Sequence, residues 1–300
     1  MSKEKNITED FSLEENKKIY TEYFDAEFSK MFVQHALHIP MDIYFRTRKI
    51  GFSEEEIKRN NPNAPVITIS NHSGMAFPWD GVIYMGYSLR ESNYDANKVP
   101  RPIVAPPLSR LRLLNPFMIK NLWKRCGGVD ATFKNFETMM DYPHSNVLVF
   151  PEGVPGIAKG FNNKYKLERF ATSFVRMALK YKTDVVPVVT INGEWLNPYT
   201  YKVKWINQIV NKIGFPMLPM GIHTPLLLVI PWMFYYSMPA RLTYVKCRRI
   251  RPSDFVDKPY EKLSQVEIED VRDKIYDSMQ EDLLKHEQEY GKRPYKRREL

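Results

Sequence analysis

Residues 66–74 read VITISNHSG, and residues 147–153 read VLVFPEG. In each stretch a run of apolar, largely β-branched residues predicts a buried strand, and the residues directly after it mark the carboxyl end of that strand. Open α/β sheets hold their ligands at the carboxyl ends of strands. The two stretches therefore predict an α/β fold in which His72 and Glu152 lie at one edge of a single sheet.

Further strands and helices alternate along the chain around these two stretches. Apolar periodicity predicts strands at 102–105 and 185–189, and helices at 80–89, 108–125, 133–140 and 167–180. Strands that alternate with helices are typical of a mostly parallel sheet with helices covering both of its faces. We therefore expect a mostly parallel sheet covered by helices as the core of the molecule.

Helical segments are predicted on either side of this core. Aromatic residues four apart predict a helix over residues 12–38, followed by a short strand at 43–46 and a polar connection at 53–61. A last helix is predicted from about residue 264 to residue 290, because Ser264 and Glu267 have the spacing of a capping box.

No linker rich in Pro, Gly or Ser divides the chain. We therefore expect one domain over residues 1–300. It would consist of an N-terminal helical segment (1–60), an α/β core (62–255) and a C-terminal helix (260–290).

Acidic and basic residues are unevenly distributed. The formal net charge is +9, and Asp and Glu are absent from residues 96–129 and from residues 195–253, which are rich in Lys, Arg, Trp and Tyr. Cations interleaved with Trp and Tyr suit an anionic lipid surface, although a solvated basic face above an aromatic core gives the same pattern. We expect a membrane lipid surface as a partner. Nucleic acid is not expected, because these stretches are apolar and contain no recognisable nucleic-acid module.

Cysteine spacing and apolar runs bear on the location of the protein. Cys126 and Cys247 are far apart and indicate no disulfide framework, and the chain begins with a polar segment that does not resemble a signal region. The longest apolar run, residues 225–238, is shorter than the roughly 20 residues that a spanning helix needs, and Pro231 interrupts it. The expectation is a peripheral protein on the cytoplasmic face of a membrane.

The pair His72 and Asp80, followed by Phe150-Pro151-Glu152-Gly153, resembles the motifs of the glycerolipid acyltransferase superfamily, which includes the lysophosphatidic acid acyltransferases. Residues 167–194 are similar to the diacylglycerol acyltransferase branch. The wide spacing between His and Asp is similar to that of a bacterial branch often labelled glycerol acyltransferase. The resemblance covers roughly residues 40–260. It implies the fold of this superfamily and transfer of a fatty acyl group from acyl-CoA or acyl carrier protein to a glycerolipid hydroxyl.

The chemistry of His72 and Asp80 fits this resemblance. An acceptor hydroxyl must lose its proton as it attacks a thioester, and a neutral imidazole at His72 can take that proton. Asp80 would hold the ring in the correct tautomer and stabilise the imidazolium. Seven residues separate the two, whereas the commonest pattern of the superfamily has four. We therefore expect a loop over residues 74–77 and Asp80 in the first turn of the next helix.

The resemblance also implies a substrate-binding role for the residues around the two motifs: Asn71, Ser73, Gly74, Glu152 and Gly153. Many relatives carry an Arg after Glu-Gly that is associated with the phosphate of the acceptor, whereas this chain continues with residues 154–156, Val-Pro-Gly. Lys159, Lys164 or Arg169 could replace that Arg. Without such a replacement, the acceptor would be a neutral lipid such as mono- or diacylglycerol.

Several alternatives remain open at this point. The protein could be a lysophosphatidic acid acyltransferase, or a membrane-surface lipid-binding protein without activity, although intact His72, Asp80 and Glu152 argue against loss of activity. Cys126 could also act as an acyl-accepting nucleophile with His72 as its base, but nothing in the sequence places the two together. No metal and no bound cofactor is implied, and acyl-CoA or acyl carrier protein would act as a co-substrate.

Overall fold

A computed structural model describes residues 13–52, 59–74, 77–105, 119, 121–212, 218, 220–221 and 224–296. The predicted connection at 53–61 and the predicted loop at 74–77 lie partly outside these residues. Most of the helix predicted at 108–125 also lies outside them, and its last turn is present as the helix Leu122–Arg125.

One sheet organises the described part of the chain. Its seven strands are β1 Arg48–Ile50, β2 Ile67–Ser70, β3 Arg101–Val104, β4 Val129–Asp130, β5 Val147–Val149, β6 Val185–Ile191 and β7 Thr243–Lys246. Their spatial order is β1-β7-β6-β2-β5-β3-β4. Neighbouring strands are parallel except β6 and β7, which are antiparallel. The predicted α/β class with a mostly parallel sheet is confirmed.

The three central strands, β2, β5 and β6, are buried along their whole length. Strands buried on both faces read as nearly continuous apolar runs instead of alternating ones, and the sequences of β5 (VLV) and β6 (VVPVVTI) have this form. Ile69 of β2 pairs with Val149 of β5 on one side and with Pro187 of β6 on the other. This register fixes which residues meet at the carboxyl edge of the sheet.

Helices cover both faces of the sheet. The α-helices are Leu13–Asn16, Ile19–Glu22, Ala26–Met31, Trp79–Glu91, Leu122–Arg125, Phe133–Met140, Val154–Ile157, Ser173–Lys180, Lys204–Lys212, Thr224–Val229 and Gln265–Tyr290. π-helical turns span Phe32–Leu37 and Ile39–Tyr44, and 3-10 turns span Phe161–Asn163, Gly193–Leu196, Pro231–Tyr235, Pro252–Phe255 and Tyr260–Lys262.

Two clusters of buried apolar side chains form the core. On one face of the sheet, the helices Phe133–Met140, Ser173–Lys180 and Gln265–Tyr290 pack against β2, β5 and β6. On the other face, the helix Trp79–Glu91 packs together with the helical segment 32–44. The helix Trp79–Glu91 follows β2 directly, so its first turn lies next to the carboxyl end of that strand.

The C-terminal helix forms as the sequence predicts. Ser264 accepts a hydrogen bond from the backbone N–H of Glu267, and the Glu267 carboxylate accepts one from the backbone N–H of Ser264, which completes the capping box. The apolar stripe of this helix is fully buried and consists of Val271, Ile275, Met279 and Leu283.

Two elements near the N-terminus differ from the predictions. The helix predicted over 12–38 is divided, and a new helix begins at Ala26 because the Asp25 side chain accepts a hydrogen bond from the N–H of Phe28. The strand predicted at 43–46 is wrong, since residues up to Tyr44 are helical. Its aromatic and β-branched residues favour a strand, but a buried stripe with helical spacing prevails: Val33, Leu37, Met41 and Phe45.

The helix predicted over residues 167–180 begins only at Ser173. The residues before it use their backbone donors in contacts to other elements. The N–H of Leu167 donates to the Gln280 side chain, and the N–H of Glu168 donates to the Glu152 carboxylate. The N–H of Ala171, which a helix starting at residue 167 would pair with the carbonyl of Leu167, donates instead to the carbonyl of Pro151, so no helical turn forms there.

Candidate active site

The register of β2 and β5 brings the two sequence motifs together. Ile69 and Val149 are paired, and His72 and Glu152 each lie three residues beyond their member of this pair. The backbone N–H of His72 donates a hydrogen bond of 2.8 Å to Oε1 of Glu152. Both residues are almost completely buried. The expectation that the two motifs meet at one edge of the sheet is therefore confirmed.

The imidazole of His72 is held by Asp80. Nδ1 of His72 lies 2.8 Å from Oδ2 of Asp80, whose side chain is fully buried. The same oxygen accepts a hydrogen bond from the N–H of Ser73, and the phenol of Tyr244 donates to the main-chain oxygen of Asp80. As expected, Asp80 lies in the first turn of the helix Trp79–Glu91. The helix thus carries Asp80 to His72 despite the wide spacing in the sequence.

The orientation of the His72 ring leaves one of its two nitrogens, Nε2, available to accept a proton. The ring stacks on Phe150 with a centroid separation of 4.3 Å. Because Nδ1 faces the Asp80 carboxylate, it carries the proton, and Nε2 is the basic nitrogen. Among the described residues, none forms a hydrogen bond with Nε2. This is the arrangement of a general base with a carboxylate that orients it.

Glu152 supports the backbone of His72, and both of its carboxylate oxygens accept hydrogen bonds from the protein. Its Oε1 accepts the N–H of His72, and its Oε2 accepts the N–H of Glu168 and lies 3.5 Å from Nζ of Lys159. Burial raises the pKa of the Glu152 carboxyl, and the Lys159 ammonium and the backbone donors of Glu168 and His72 oppose that rise. Glu152 therefore fixes the backbone of the histidine.

Lys159 belongs to a buried ionic triad with Glu152 and Glu194. Its Nζ lies 3.6 Å from Oε1 of Glu194 and donates to the carbonyl of Lys166. Burial acts to lower the pKa of Lys159, but the carboxylates of Glu152 and Glu194 outweigh burial and raise it. The Lys159 side chain is 1% exposed. The Lys159 ammonium therefore pairs with the two carboxylates and not with a ligand.

Other motif residues shape the backbone around the histidine. Asn71 is fully buried, and its side-chain amide accepts from the N–H of Thr190 and donates to the carbonyl of Thr190, which ties the end of β2 to β6. Gly74 and Gly153 have φ values of +116° and +57°, in the region that favours glycine. Ser73 is buried, and its N–H contacts Asp80.

Gly156 is a site residue that the sequence did not reveal. A Cβ at this position would lie 2.6 Å from Cβ of Glu152 and 3.1 Å from Cβ of His72. The short helix Val154–Ile157 can therefore pass beneath the two motifs only with a glycine there.

A cavity of about 430 Å³ opens beside His72. Its wall contains His72, Glu152 and Gly153. The rest is mainly apolar and includes Leu37, Val82, Met85, Leu89, Ile103, Val104, Leu122, Trp123, Phe136, Phe150, Ile157 and Phe170. An apolar cavity with a few polar groups converging at one end is typical of a small-molecule site, and this one suits a long hydrocarbon chain.

The three candidate cations for an acceptor phosphate lie in different places. Lys159 is buried in its triad, and Lys164 is exposed with its Nζ 5.4 Å from the Phe161 ring centroid. Of the three, only Arg169 lines the cavity. Its side chain is 74% exposed, and its guanidinium lies 3.4 Å from a carboxylate oxygen of Glu269.

Cys126 lines the same cavity as His72. Burial raises the pKa of the Cys126 thiol to about 11. At neutral pH the group is therefore a thiol and not the nucleophilic thiolate. This protonation state disfavours the alternative in which Cys126 accepts the acyl group.

Residues 199–236 expose apolar and aromatic side chains to an unusual degree. Among the residues of this range that the structure describes, nine are between 37% and 79% exposed: Tyr199, Tyr201, Trp205, Ile209, Leu226, Val229, Ile230, Trp232 and Tyr236. In the helix Lys204–Lys212, Trp205 and Ile209 are four apart and lie on one face. None of the helices in the described ranges is both long enough and apolar enough to cross a membrane.

This segment is in contact with the site. Nε1 of Trp79 donates to the carbonyl of Tyr235, and the Phe77 ring packs on Tyr235 with a centroid separation of 4.9 Å. The Phe77 ring also packs on Trp123, which lines the cavity. Phe77 and Trp79 therefore join the exposed aromatic segment to the cavity wall.

Comparison with known proteins gave matches of three kinds. A family model described as Acyltransferase matches residues 49–191. An uncharacterized protein of Mycobacterium tuberculosis is 27% identical over 204 residues, which are 66% of this chain and 51% of that protein. An uncharacterized protein of Mycobacterium leprae is 24% identical over 198 residues, with coverages of 66% and 50%. The chain thus spans about half the length of these curated relatives.

The crystal structure of the 1-acyl-sn-glycerophosphate (LPA) acyltransferase PlsC from Thermotoga maritima also matches. It is 15% identical, and the match covers 91% of this chain and 83% of that chain with a TM-score of 0.43. At that TM-score the similarity carries no conclusion about the chemistry of this chain.

Proposed function

We propose that this protein is a member of the acyltransferase family whose model matches residues 49–191, and that it transfers a fatty acyl group from a thioester, acyl-CoA or acyl carrier protein, to a hydroxyl group of a glycerolipid. One observation carries the proposal. Nδ1 of His72 is held 2.8 Å from the buried Asp80 carboxylate, while the ring lines an apolar cavity of about 430 Å³. A positioned base at the end of a cavity suited to a hydrocarbon chain is what this reaction requires.

The proposed reaction is a direct transfer. The acceptor hydroxyl gives its proton to Nε2 of His72 as its oxygen attacks the thioester carbonyl carbon. Asp80 stabilises the imidazolium that forms. The carbon–sulfur bond then breaks, and the imidazolium returns the proton to the departing thiolate. An ester and a free thiol result, and His72 is neutral again.

Glu152 has a positioning role in this mechanism. Both of its oxygens accept hydrogen bonds from the protein, one of them from the backbone N–H of His72. The carboxylate therefore holds the base in place. Asn71 acts in the same way through Thr190. For Asn71 and Glu152 we therefore propose positioning in place of the direct substrate binding that the resemblance implies.

We infer an acceptor without a terminal phosphate monoester. Arg is the side chain best suited to bidentate phosphate recognition, and it is missing after Glu152-Gly153. Lys159 cannot replace it, because the triad with Glu152 and Glu194 uses its charge. Arg169 lines the cavity, but its guanidinium is largely in solvent beside Glu269. An ion pair between Arg169 and an acceptor phosphate at such an exposed position would contribute little to binding.

A membrane surface is the proposed location of the acceptor, on the cytoplasmic side. The exposed Trp and Tyr side chains of residues 199–236, with no Asp or Glu between residues 195 and 253, support this proposal. Aromatic rings suit the headgroup level, and neighbouring cations meet lipid phosphate. Contact between Tyr235 and Phe77 would then bring the lipid surface close to the cavity.

The proposal is tested by incubating the protein with labelled acyl-CoA and with acyl carrier protein thioester. Each donor is combined with monoacylglycerol, diacylglycerol or lysophosphatidic acid in mixed micelles. Transfer to any of these lipids supports the proposed activity, and faster transfer to the glycerides supports the inferred acceptor. A strong preference for lysophosphatidic acid that is lost in Arg169→Gln would assign the phosphate to Arg169 and overturn that inference. No transfer with any donor and acceptor would favour the lipid-binding alternative.

A further inference from the structure

Three potential metal ligands meet between the end of β7 and the C-terminal helix. They are Cys247, Asp282 and His286, and one ligand atom from each lies within 4.8 Å of the other two. None of the three lines the cavity beside His72. The cluster is therefore separate from the proposed acyl-transfer site.

The fold brings these side chains together from two parts of the chain. Asp282 and His286 are four residues apart in the helix Gln265–Tyr290, so they lie on the same helical face. Cys247 follows β7 directly, and its backbone N–H donates to the carbonyl of Pro187 in β6. The C-terminal helix packs on β6. A rigid strand end and a rigid helix face thus hold the cluster from opposite sides.

The spacing of the ligand atoms is close to that of a tetrahedral site. Zinc binds Cys sulfur at about 2.3 Å and His nitrogen or carboxylate oxygen at about 2.0–2.2 Å, so ligand atoms around the ion lie roughly 3.3–3.7 Å apart. Because the observed atoms lie within 4.8 Å of one another, they need to approach by at most about 1–1.5 Å to reach that spacing. All three side chains are only partly buried, which allows the small rotations that this approach requires.

The chemistry of the three groups favours zinc among the common divalent ions. Thiolate and imidazole are preferred zinc ligands, whereas Mg²⁺ and Ca²⁺ are bound by oxygen alone. Nδ1 of His286 is buried without a hydrogen-bond partner among the described residues, and buried nitrogen atoms are normally satisfied. One thiolate and one carboxylate would also balance the charge of a divalent ion.

We propose that Cys247, Asp282 and His286 form a Zn²⁺ site that fastens the C-terminal helix to the sheet. Binding forms one zinc–sulfur bond and releases the thiol proton of Cys247 to solvent. Three protein ligands leave a fourth coordination position for water. Because Zn²⁺ would bind the folded chain and join two elements that separate on unfolding, it stabilises the folded state.

The test uses the full chain without a polyhistidine tag. Zn²⁺ is titrated in competition with a chromophoric chelator, and the expected result is one Zn²⁺ per chain together with a rise in Tm. Cys247→Ser, His286→Gln and Asp282→Asn should each weaken binding at least about 10–100-fold, which is the effect of losing even an outer partner of a metal site. Cys126→Ser is the matched control and should keep the affinity of the unmodified chain.

Substitution with Co²⁺ identifies the sulfur ligand. A thiolate-to-metal charge-transfer band is expected with the unmodified chain and with Cys126→Ser, and it should be absent from Cys247→Ser. Far-UV circular dichroism of the metal-free variants checks that each one is folded. The proposal is overturned if the unmodified chain binds no stoichiometric Zn²⁺, or if the folded Cys247 and His286 variants bind it with unchanged affinity.

Discussion

Nδ1 of His72 lies 2.8 Å from Oδ2 of Asp80, although seven residues separate the two in the sequence. The contact is built into the fold. Asp80 is held by the N–H of Ser73 on its carboxylate and by the phenol of Tyr244 on its main-chain oxygen. Because both contacts come from buried groups, the pair is formed before any substrate arrives.

Replacing Asp80 by Asn should impair catalysis while the chain remains folded. An amide cannot fix the tautomer of His72 or stabilise an imidazolium as a carboxylate does, and the equivalent change in a serine-protease triad costs about 10⁴-fold in kcat. We expect kcat for acyl transfer to fall by at least about 10²-fold. The matched control is Asp277→Asn, at an exposed position of the C-terminal helix. Full activity in Asp80→Asn would show that the pairing has no catalytic role.

Replacing Lys159 by Met should destabilise the protein without changing its choice of acceptor. The change leaves the Glu152 and Glu194 carboxylates buried without their cation, and loss of one partner of a buried pair costs about 3–5 kcal/mol. Denaturant unfolding measures the free energy of unfolding. If Lys159 instead bound an acceptor phosphate, the KM for lysophosphatidic acid alone would rise, with little change in stability.

Cys126 should carry no acyl group during turnover. Because burial raises the pKa of its thiol to about 11, the nucleophilic thiolate is scarce at neutral pH. We expect intact-protein mass spectrometry to show no acyl adduct after incubation with acyl-CoA in the absence of acceptor. An adduct that maps to Cys126, and that disappears when acceptor is added, would replace direct transfer by a covalent route.

The exposed aromatic residues of the segment 199–236 should mediate lipid binding. Replacing both Trp205 and Trp232 by Ala removes two rings that are 64% and 58% exposed. We expect weaker flotation with anionic vesicles, and high salt should weaken it further because exposed charges are screened beyond about 8–10 Å. Phe255→Ala, at an exposed position elsewhere, is the control. Equal flotation of the double variant and the unmodified chain would contradict the surface that we propose.

Much of the fold was predictable because its core strands and its C-terminal helix are encoded by short stretches of sequence. The buried runs of β2, β5 and β6 and the capping box at Ser264 are visible as composition and spacing. The resemblance to the glycerolipid acyltransferase superfamily, which rests on the motifs at His72 and Glu152, is supported by the Acyltransferase family model that matches residues 49–191. These features depend on residues that are close together in the sequence.

The remaining features depend on contacts between distant parts of the chain. The helix predicted from residue 167 begins late because the N–H of Ala171 donates to the carbonyl of Pro151 and not to that of Leu167. Lys159 looked like an available cation, but Glu152 and Glu194 enclose it. Neither contact has a local sequence signal, so neither could be predicted from periodicity or spacing.

The proposed mechanism depends most directly on the role of His72 as general base. The decisive measurement is kcat/KM for transfer of a labelled acyl group from acyl-CoA to the preferred glycerolipid in mixed micelles, for His72→Ala beside the exposed control His144→Ala. We expect His72→Ala to fall by about 10²–10⁴-fold, the usual contribution of a general base, with an unchanged circular dichroism spectrum. A folded His72→Ala enzyme with nearly normal kcat/KM would contradict the mechanism.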